Sequence, residues 1–299
     1  MADPLDGVDP EVVARFALDK LPFDRSSRPT AALLSLEGVR AVVTGGGGDG
    51  LGNATCHRLA EQGARVAVID VRTELAEATA HELEERWGHD ALALATDVGD
   101  PTDTERAIDK MVSSWGGVDL LVNNAGGSGT IRQDGERVRQ HGAFLNMGMD
   151  DLVGVVRVNL LGTMLMTRAV LPAMVRQGGG RIVNVASEGG KISVDGLAVY
   201  NSCKSGVIGF TRNIARDYGA HGVTAVSVCP GIMVSPRTIR NLAQPGINGH
   251  TALASAFSRV TIGRCSVPDE VASVIAFLAS PAGGYVNGTS VSVGGGMSD

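Results

Sequence analysis

Tyr200 and Lys204, in "YNSCK", are four residues apart. On a helix that spacing puts both side chains on one face. A free phenol, with a pKa of about 10, is a poor base at neutral pH. An ammonium beside it favours the phenolate, so the pair can move a proton near neutrality. Ser187 lies thirteen residues before Tyr200, just after the apolar run "RIVNVA". At the carboxyl end of a parallel strand, its hydroxyl would face a ligand crevice. Asn159 sits in "VNLLGTM", within an otherwise apolar segment. A buried Asn must find hydrogen-bond partners, so it is either a structural plug or part of a proton relay. A Tyr–Lys pair alone is common on helix surfaces and gains weight only in this company.

Elements that position these residues begin at residue 39. The short apolar runs 39–44, 65–70, 91–96, 119–124, 181–186, 223–228 and 290–293 alternate with longer helical patterns. The helical patterns cover about 50–62, "TELAEATAHELEERW", "DTERAIDKMVSSW", 150–177 and about 198–219. Continuous β-branched runs are strands buried on both faces, and alternation with helices makes β-α-β units. The expected fold is α/β: a doubly wound Rossmann fold with a seven-stranded parallel sheet.

Between the first strand and the first helix runs "TGGGGDGLG". In a doubly wound sheet this turn is where a dinucleotide pyrophosphate rests on a helix N-terminus. Missing side chains let phosphates approach the backbone, and the turn's position strengthens an otherwise weak signal. Asp70 ends the second strand, 18 residues beyond Gly52. An acid there accepts hydrogen bonds from adenosine ribose hydroxyls, the alternative being a helix cap.

Bulk composition narrows the class. The 299 residues are 43% hydrophobic with a formal net charge of −6, so nucleic acid and anionic membrane are poor partners. Cys56, Cys203, Cys229 and Cys265 are widely spaced with no C-x-x-C pair, which reads as reduced thiols in a cytoplasmic protein without a metal. The acidic N-terminus has no signal-peptide pattern. Residues 152–175 are apolar but carry Arg157 and Arg168, which indicates a buried helix rather than a membrane span. Residues 1–38 read as an N-terminal extension or arm, with a short helix in "PEVVARFALDKL" and a linker in "PFDRSSRPT". Residues 39–299 are expected to form the catalytic domain.

These motifs resemble the short-chain dehydrogenase/reductase family from residue 39 to about 296. "TGGGGDGLG" resembles its T-G-x-x-x-G-x-G, and "DV" at 97–98 its adenine-contacting pair. "NNAG" at 123–126, "VNLLG", Ser187 with "YNSCK", and "PGIMVS" at 230–235 match in order and spacing. The resemblance implies roles. Tyr200 is the general acid/base, and Lys204 binds the nicotinamide ribose and lowers the phenol's pKa. Ser187 holds the substrate oxygen. Asn159 holds a relay water. Gly45, Asp49, Gly50, Leu51, Gly52, Asp70, Asp97 and Val98 bind the pyrophosphate and adenosine half. Asn124, Ala125 and Gly126 line the cofactor, and Pro230, Gly231, Met233 and Ser235 cover the nicotinamide. It also implies a small alcohol or carbonyl substrate and a homo-oligomer, most often a tetramer.

Three departures stand out. The glycine turn is one residue longer than the family pattern, and Asp49 in it would face the adenosine ribose, discouraging a 2′-phosphate. NAD is therefore expected over NADP, with Arg72 as the group that can oppose this. Residues 128–150 are longer than usual and carry Arg132, Arg137, Arg139 and His141, a solvated loop or subunit contact before an anion site. Gly294 stands where the family usually has an acid. The expected activity is hydride transfer between a nicotinamide and a secondary alcohol or ketone carbon. Its rivals are an NADPH-dependent 3-oxoacyl-thioester reductase and a non-catalytic NAD-binding regulator. Cys203, with no His near it in sequence, is not read as a nucleophile.

Overall fold

The computed structural model describes residues 5–20, 29–131, 137–139, 143–236, 239 and 257–298, with residues 20, 129–131 and 137–139 given by backbone alone. Seven parallel strands make the central sheet: β1 (Arg40–Thr44), β2 (Arg65–Asp70), β3 (Ala91–Ala95), β4 (Leu120–Asn123), β7 (Gly180–Val185), β8 (Val223–Pro230) and β9 (Ser290–Val293). Their spatial order is β3-β2-β1-β4-β7-β8-β9. The order reverses between β1 and β4, so a ligand crevice opens outside their carboxyl ends. The glycine turn follows β1 and "NNAG" spans the end of β4, which puts both at that reversal.

Period-2 alternation along buried strands feeds two cores. Ala41 and Val43 of β1 face one layer, built from α3 (Leu51–Glu61), α4 (Thr73–Trp87) and α9 (Pro268–Ala279). Val42 faces the other, built from α5 (Pro101–Trp115), α7 (Gly162–Arg176) and α8 (Ala198–Tyr218). The expected doubly wound sheet is therefore present. The run Met149–Arg176 is long and apolar enough to cross a membrane by length and composition, and half of its most apolar window is buried inside the fold.

Three local features differ from the sequence reading. Residues 150–177 are not one regular helix: α6 (Met149–Val156) passes into a π turn at Arg157–Leu161 before α7 begins. The segment 128–150, read as a loop, contains an antiparallel ribbon pairing β5 (Gly129–Ile131) with β6 (Arg137–Arg139). Arg132 and His141 lie outside the described residues. Among the described residues the N-terminal part has two short α-helices, α1 (Pro10–Phe16) and α2 (Thr30–Leu34), neither with a buried residue. Leu36, by contrast, is fully buried in the first core, and its N–H donates to the Gln62 carbonyl at 2.8 Å.

Candidate active site

The π turn aims Asn159 into the crevice. Asn159 is buried; its Oδ1 accepts the Gly127 N–H at 2.9 Å, and its Nδ2 donates to the carbonyls of Gly127 and Val155, both at 3.0 Å. A Cβ on Gly126 would lie 2.5 Å from Asn159 Oδ1 and 3.6 Å from Lys204 Nζ, so only glycine fits between the two groups. Asn159, the end of β4 and α8 thus meet at one point.

From α8 come Tyr200 and Lys204. Lys204 is buried, donates through Nζ to the Val185 carbonyl at 2.8 Å, and holds its ammonium 5.7 Å from the centroid of the Tyr200 ring. Ser187, just past β7, accepts the Gly189 N–H at 3.1 Å and lies near enough to the Tyr200 hydroxyl to lower its pKa. The expected lowering of the phenol is not found in this state. Burial raises the Tyr200 pKa, and Ser187 only partly opposes that. Burial also brings Lys204 down from 10.5 to about 8. The cation over the ring is itself short of solvent, which limits what it can do for the phenolate.

A chain of buried polar side chains fixes the strands and helices beneath these groups. Asn123 Nδ2 donates to Asn184 Oδ1 at 2.9 Å and to Thr167 Oγ1 at 3.1 Å; Asn184 Nδ2 donates to Thr211 Oγ1 at 2.9 Å. That links β4, β7, α7 and α8 in one register, since each bond is directional and water cannot replace it there.

The glycine turn fits a dinucleotide. Gly45 and Gly48 have φ of +62° and +90°, a region that favours glycine. A Cβ on Gly52 would collide with the Gly45 carbonyl. Helix α3 starts at Leu51 with no side-chain cap from Gly50, which leaves first-turn N–H groups free of a side-chain acceptor at the crevice. Asp49 lies half-buried in the turn between Gly48 and Gly50. Thr44 Oγ1, which the sequence reading left without a role, accepts the N–H groups of Asn124 and Ala125, each at 2.9 Å; Asn124 Nδ2 donates to the Thr44 carbonyl at 2.9 Å. Those bonds join the loops after β1 and β4.

Asp70 is buried and accepts the Gly47 N–H at 3.3 Å and the Arg72 N–H and Nε at 3.1 and 3.4 Å. Arg72 is thus already turned toward it. Asp97 Oδ2 pairs with Arg157 Nη2 at 2.7 Å, and Oδ1 accepts the Gly99 N–H at 2.8 Å. Val98 is buried against Gly162. Pro230 ends β8, the Gly231 N–H donates to the Val293 carbonyl at 3.1 Å, Met233 bridges to Ser266, and Ser235 is buried. Residues 237–238 and 240–256 lie outside the described residues.

Arg157 and Glu188 were missed as site residues. Arg157 carries only a charge in the sequence, and nothing there marks its partner. Glu188, next to Ser187, is buried, and neither carboxylate oxygen has a hydrogen-bond partner among the described residues. A Cβ on Gly294 would fall 2.8 Å from Glu188 Cγ, which accounts for glycine at that position. Cys203 is buried and its thiol is pushed up by burial, in keeping with an inert side chain. Among the described residues no group of three or more His, Cys, Asp or Glu is placed to hold a metal ion.

Residues 40–245 match the family model described as short chain dehydrogenase. The chain is 33% identical to the 3-oxoacyl-acyl-carrier-protein reductase FabG of Vibrio cholerae, over 88% of this chain and 99% of that protein. It is 34% identical to the levodione reductase of Leifsonia aquatica, over 87% and 94% of the two. A crystal structure of levodione reductase superposes with a TM-score of 0.78 at 32% identity, over 87% and 97% of the two chains. A Burkholderia cenocepacia short chain dehydrogenase in complex with NADP gives 0.75 at 32% identity, over 88% and 98%. A 7α-hydroxysteroid dehydrogenase complexed with NADH gives 0.77 at 27% identity, over 90% and 97%. This chain belongs to the short-chain dehydrogenase/reductase family. It is therefore an oxidoreductase of the class that acts on CH–OH and carbonyl groups.

The lowered Lys204 pKa has a stability consequence. Between about pH 8 and 10.5 the unfolded chain binds a proton at Lys204 that the folded chain does not, so stability rises with pH across that window. At pH 7 the buried ammonium is a net cost that a neutral side chain avoids. Lys204→Met is expected to melt higher than wild type at pH 7, with the gap closing as pH rises past 8 toward 10.5. A gap that stays constant or widens in calorimetric melts over that range would contradict the assignment.

Proposed function

We propose that this protein is an NAD-dependent alcohol dehydrogenase or ketone reductase acting on a secondary carbon. The observation that carries the reading is the Lys204 ammonium 5.7 Å from the centroid of the Tyr200 ring, with Ser187 near enough to the Tyr200 hydroxyl to hold its pKa down. A bound nicotinamide supplies or accepts the hydride. Tyr200 gives a proton to the substrate oxygen in reduction, or takes it in oxidation, at its own hydroxyl. Ser187 donates to that oxygen and stabilises the charge that develops on it. Lys204 holds the nicotinamide ribose and stabilises the phenolate left on Tyr200. Asn159 orders a water between Lys204 and solvent and so returns the proton. Gly45, Asp49, Gly50, Leu51 and Gly52 cradle the pyrophosphate. Asp70 takes the adenosine ribose, and Asp97 with Val98 the adenine. Asn124, Ala125 and Gly126 line the middle, while Pro230, Gly231, Met233 and Ser235 cover the nicotinamide.

On this reading residues 1–38 are an extension or arm and 39–299 the catalytic domain, in a cytoplasmic homotetramer. Exposed apolar side chains support assembly: Phe144, Leu145, Met149 and Val153 lie together before and along α6. Exposed Val12 and Phe16 on α1 suit an arm that docks. Light scattering at micromolar concentration is expected to give about four times the 30.8 kDa chain mass, and a clean monomer mass would refute assembly.

A second reading, an NADPH-dependent 3-oxoacyl-thioester reductase, is favoured by Arg72 lying against Asp70 and by the FabG relatives. The cofactor decides between them. Asp70 offers the ribose hydroxyls charge-assisted bonds worth about 1.5–3 kcal/mol each. A 2′-phosphate removes one and adds like-charge repulsion. Wild type is expected to prefer NADH by at least roughly 100-fold in kcat/KM, taking about 1.4 kcal/mol per tenfold. Asp70→Ser should narrow the gap by leaving Arg72 unopposed. Equal values, or a preference for NADPH, would overturn the NAD reading.

The chemical step rests on the phenol. Tyr200→Phe keeps the ring and removes the proton carrier. It is expected to lower turnover of a ketone panel by several orders of magnitude while NADH still binds, as followed by fluorescence titration. More than a tenth of wild-type activity would refute the assignment.

A further inference from the structure

We infer that Arg157 is a positioning residue: it fixes the Asp97 carboxylate on the adenine side of the site and ties that side to the π turn bearing Asn159. The inference rests on the dinucleotide reading above. The loop after β3 lies beside Asp70 at the carboxyl edge of the sheet, and the Thr96 N–H donates to the Asp70 carbonyl at 3.0 Å. A dinucleotide with its pyrophosphate on the glycine turn and a ribose at Asp70 therefore carries its adenine over residues 96–99.

Arg157 approaches that loop from the opposite side. Its Nη2 meets Asp97 Oδ2 at 2.7 Å, and its stem and guanidinium cover Gly99, where a Cβ would lie 2.7–2.9 Å from Arg157 Cγ, Cζ and Nε. Gly99 has an ordinary backbone conformation, so its lack of a side chain is explained by the passage of the arginine. At the other end of the π turn, a Cβ on Gly162 would lie 2.8 Å from Val98 Cγ2. The 97–99 loop is thus gripped at both ends of the segment whose middle residue, Asn159, bonds Gly127 on the far side. The pair itself is half-exposed, with side chains 41% and 33% accessible. An ion pair so placed contributes little to stability. Its effect is orientation. Asp97 Oδ1 is held by Gly99, Oδ2 by Arg157, and each oxygen keeps a lone pair for a ring amine.

The test is calorimetric binding of ADP-ribose at one ionic strength, which needs no substrate. Arg157→Met keeps the stem over Gly99 and removes the guanidinium. It is expected to weaken ADP-ribose about tenfold, the scale of one charge-assisted hydrogen bond. Arg157→Lys, which keeps a cation, should fall between Met and wild type. Asp97→Asn should cost a similar factor, and the double variant no more than the worse single one, because the two side chains act as a unit. A merely structural role would lower the melting temperature without that non-additivity. Wild-type affinity in Arg157→Met, or full additivity with Asp97→Asn, would overturn the inference. Failure of wild type to bind ADP-ribose would overturn the dinucleotide reading and this inference with it.

Discussion

The side-chain amide of Asn159 is the joint on which the crevice depends. A π turn opens a helix by one residue and leaves its backbone poorly paired. Here the amide takes the Val155 carbonyl on its own helix and both backbone groups of Gly127 across the crevice. An apolar residue at this position would remove a partner from one buried and two partly buried polar groups at once. The amide therefore locks the end of β4 to the junction of α6 and α7. It also sets how far the Gly126 backbone stands from Lys204. Glycine at 126 follows from the joint, because any side chain there would strike the amide.

Beneath the joint, the Asn123–Asn184–Thr211 chain extends the same logic into the sheet. Directional bonds replace apolar packing where two strands and two helices must keep one register. A purely hydrophobic layer tolerates small sliding of α8, whereas this chain does not. Tyr200 and Lys204 ride on α8, so the precision of the crevice is set a layer below the groups that line it.

The sheet was legible because its inner strands are apolar runs buried on both faces, and each helix follows with a different period. The candidate site was legible because its chemistry needs particular residue types at fixed offsets: glycines after β1, an acid at the end of β2, and a Tyr four before a Lys. What escaped obeys no periodicity. A π turn differs from an α-helix by one hydrogen-bond step, and "VRVNLLG" reads as either. The ribbon in 129–139 pairs two three-residue strands, too short to register as alternation. Arg157 and Glu188 take their meaning from partners 60 and 106 residues away, Asp97 and Gly294. The direction of the Tyr200 shift was also beyond sequence. Spacing brings a cation near the ring, but the upward shift comes from burial, which spacing does not reveal.

Two charge-bearing side chains lie buried beneath the crevice without an ion-pair partner among the described residues. Lys204 has only the Val185 carbonyl, and Glu188 has no hydrogen-bond acceptor or donor in reach. Both act on the Cys229 thiol, which burial above all pushes up to about 11, with Glu188 raising it and Lys204 lowering it. A fold selected for stability alone would replace both with apolar groups of similar size, since unpaired buried polar groups cost free energy. Rules of local consistency are broken chiefly where function requires it. Lys204 fits that account through the ring it covers. Glu188 sits one residue from Ser187, and its stem fills the volume a side chain at Gly294 would need. Gly294 in turn backs the Gly231 segment, where a Cβ would meet Gly294 Cα at 2.8 Å. The Glu188 side chain thus packs the loop after β7 against the end of β9, which in turn lies against the Gly231 segment after β8.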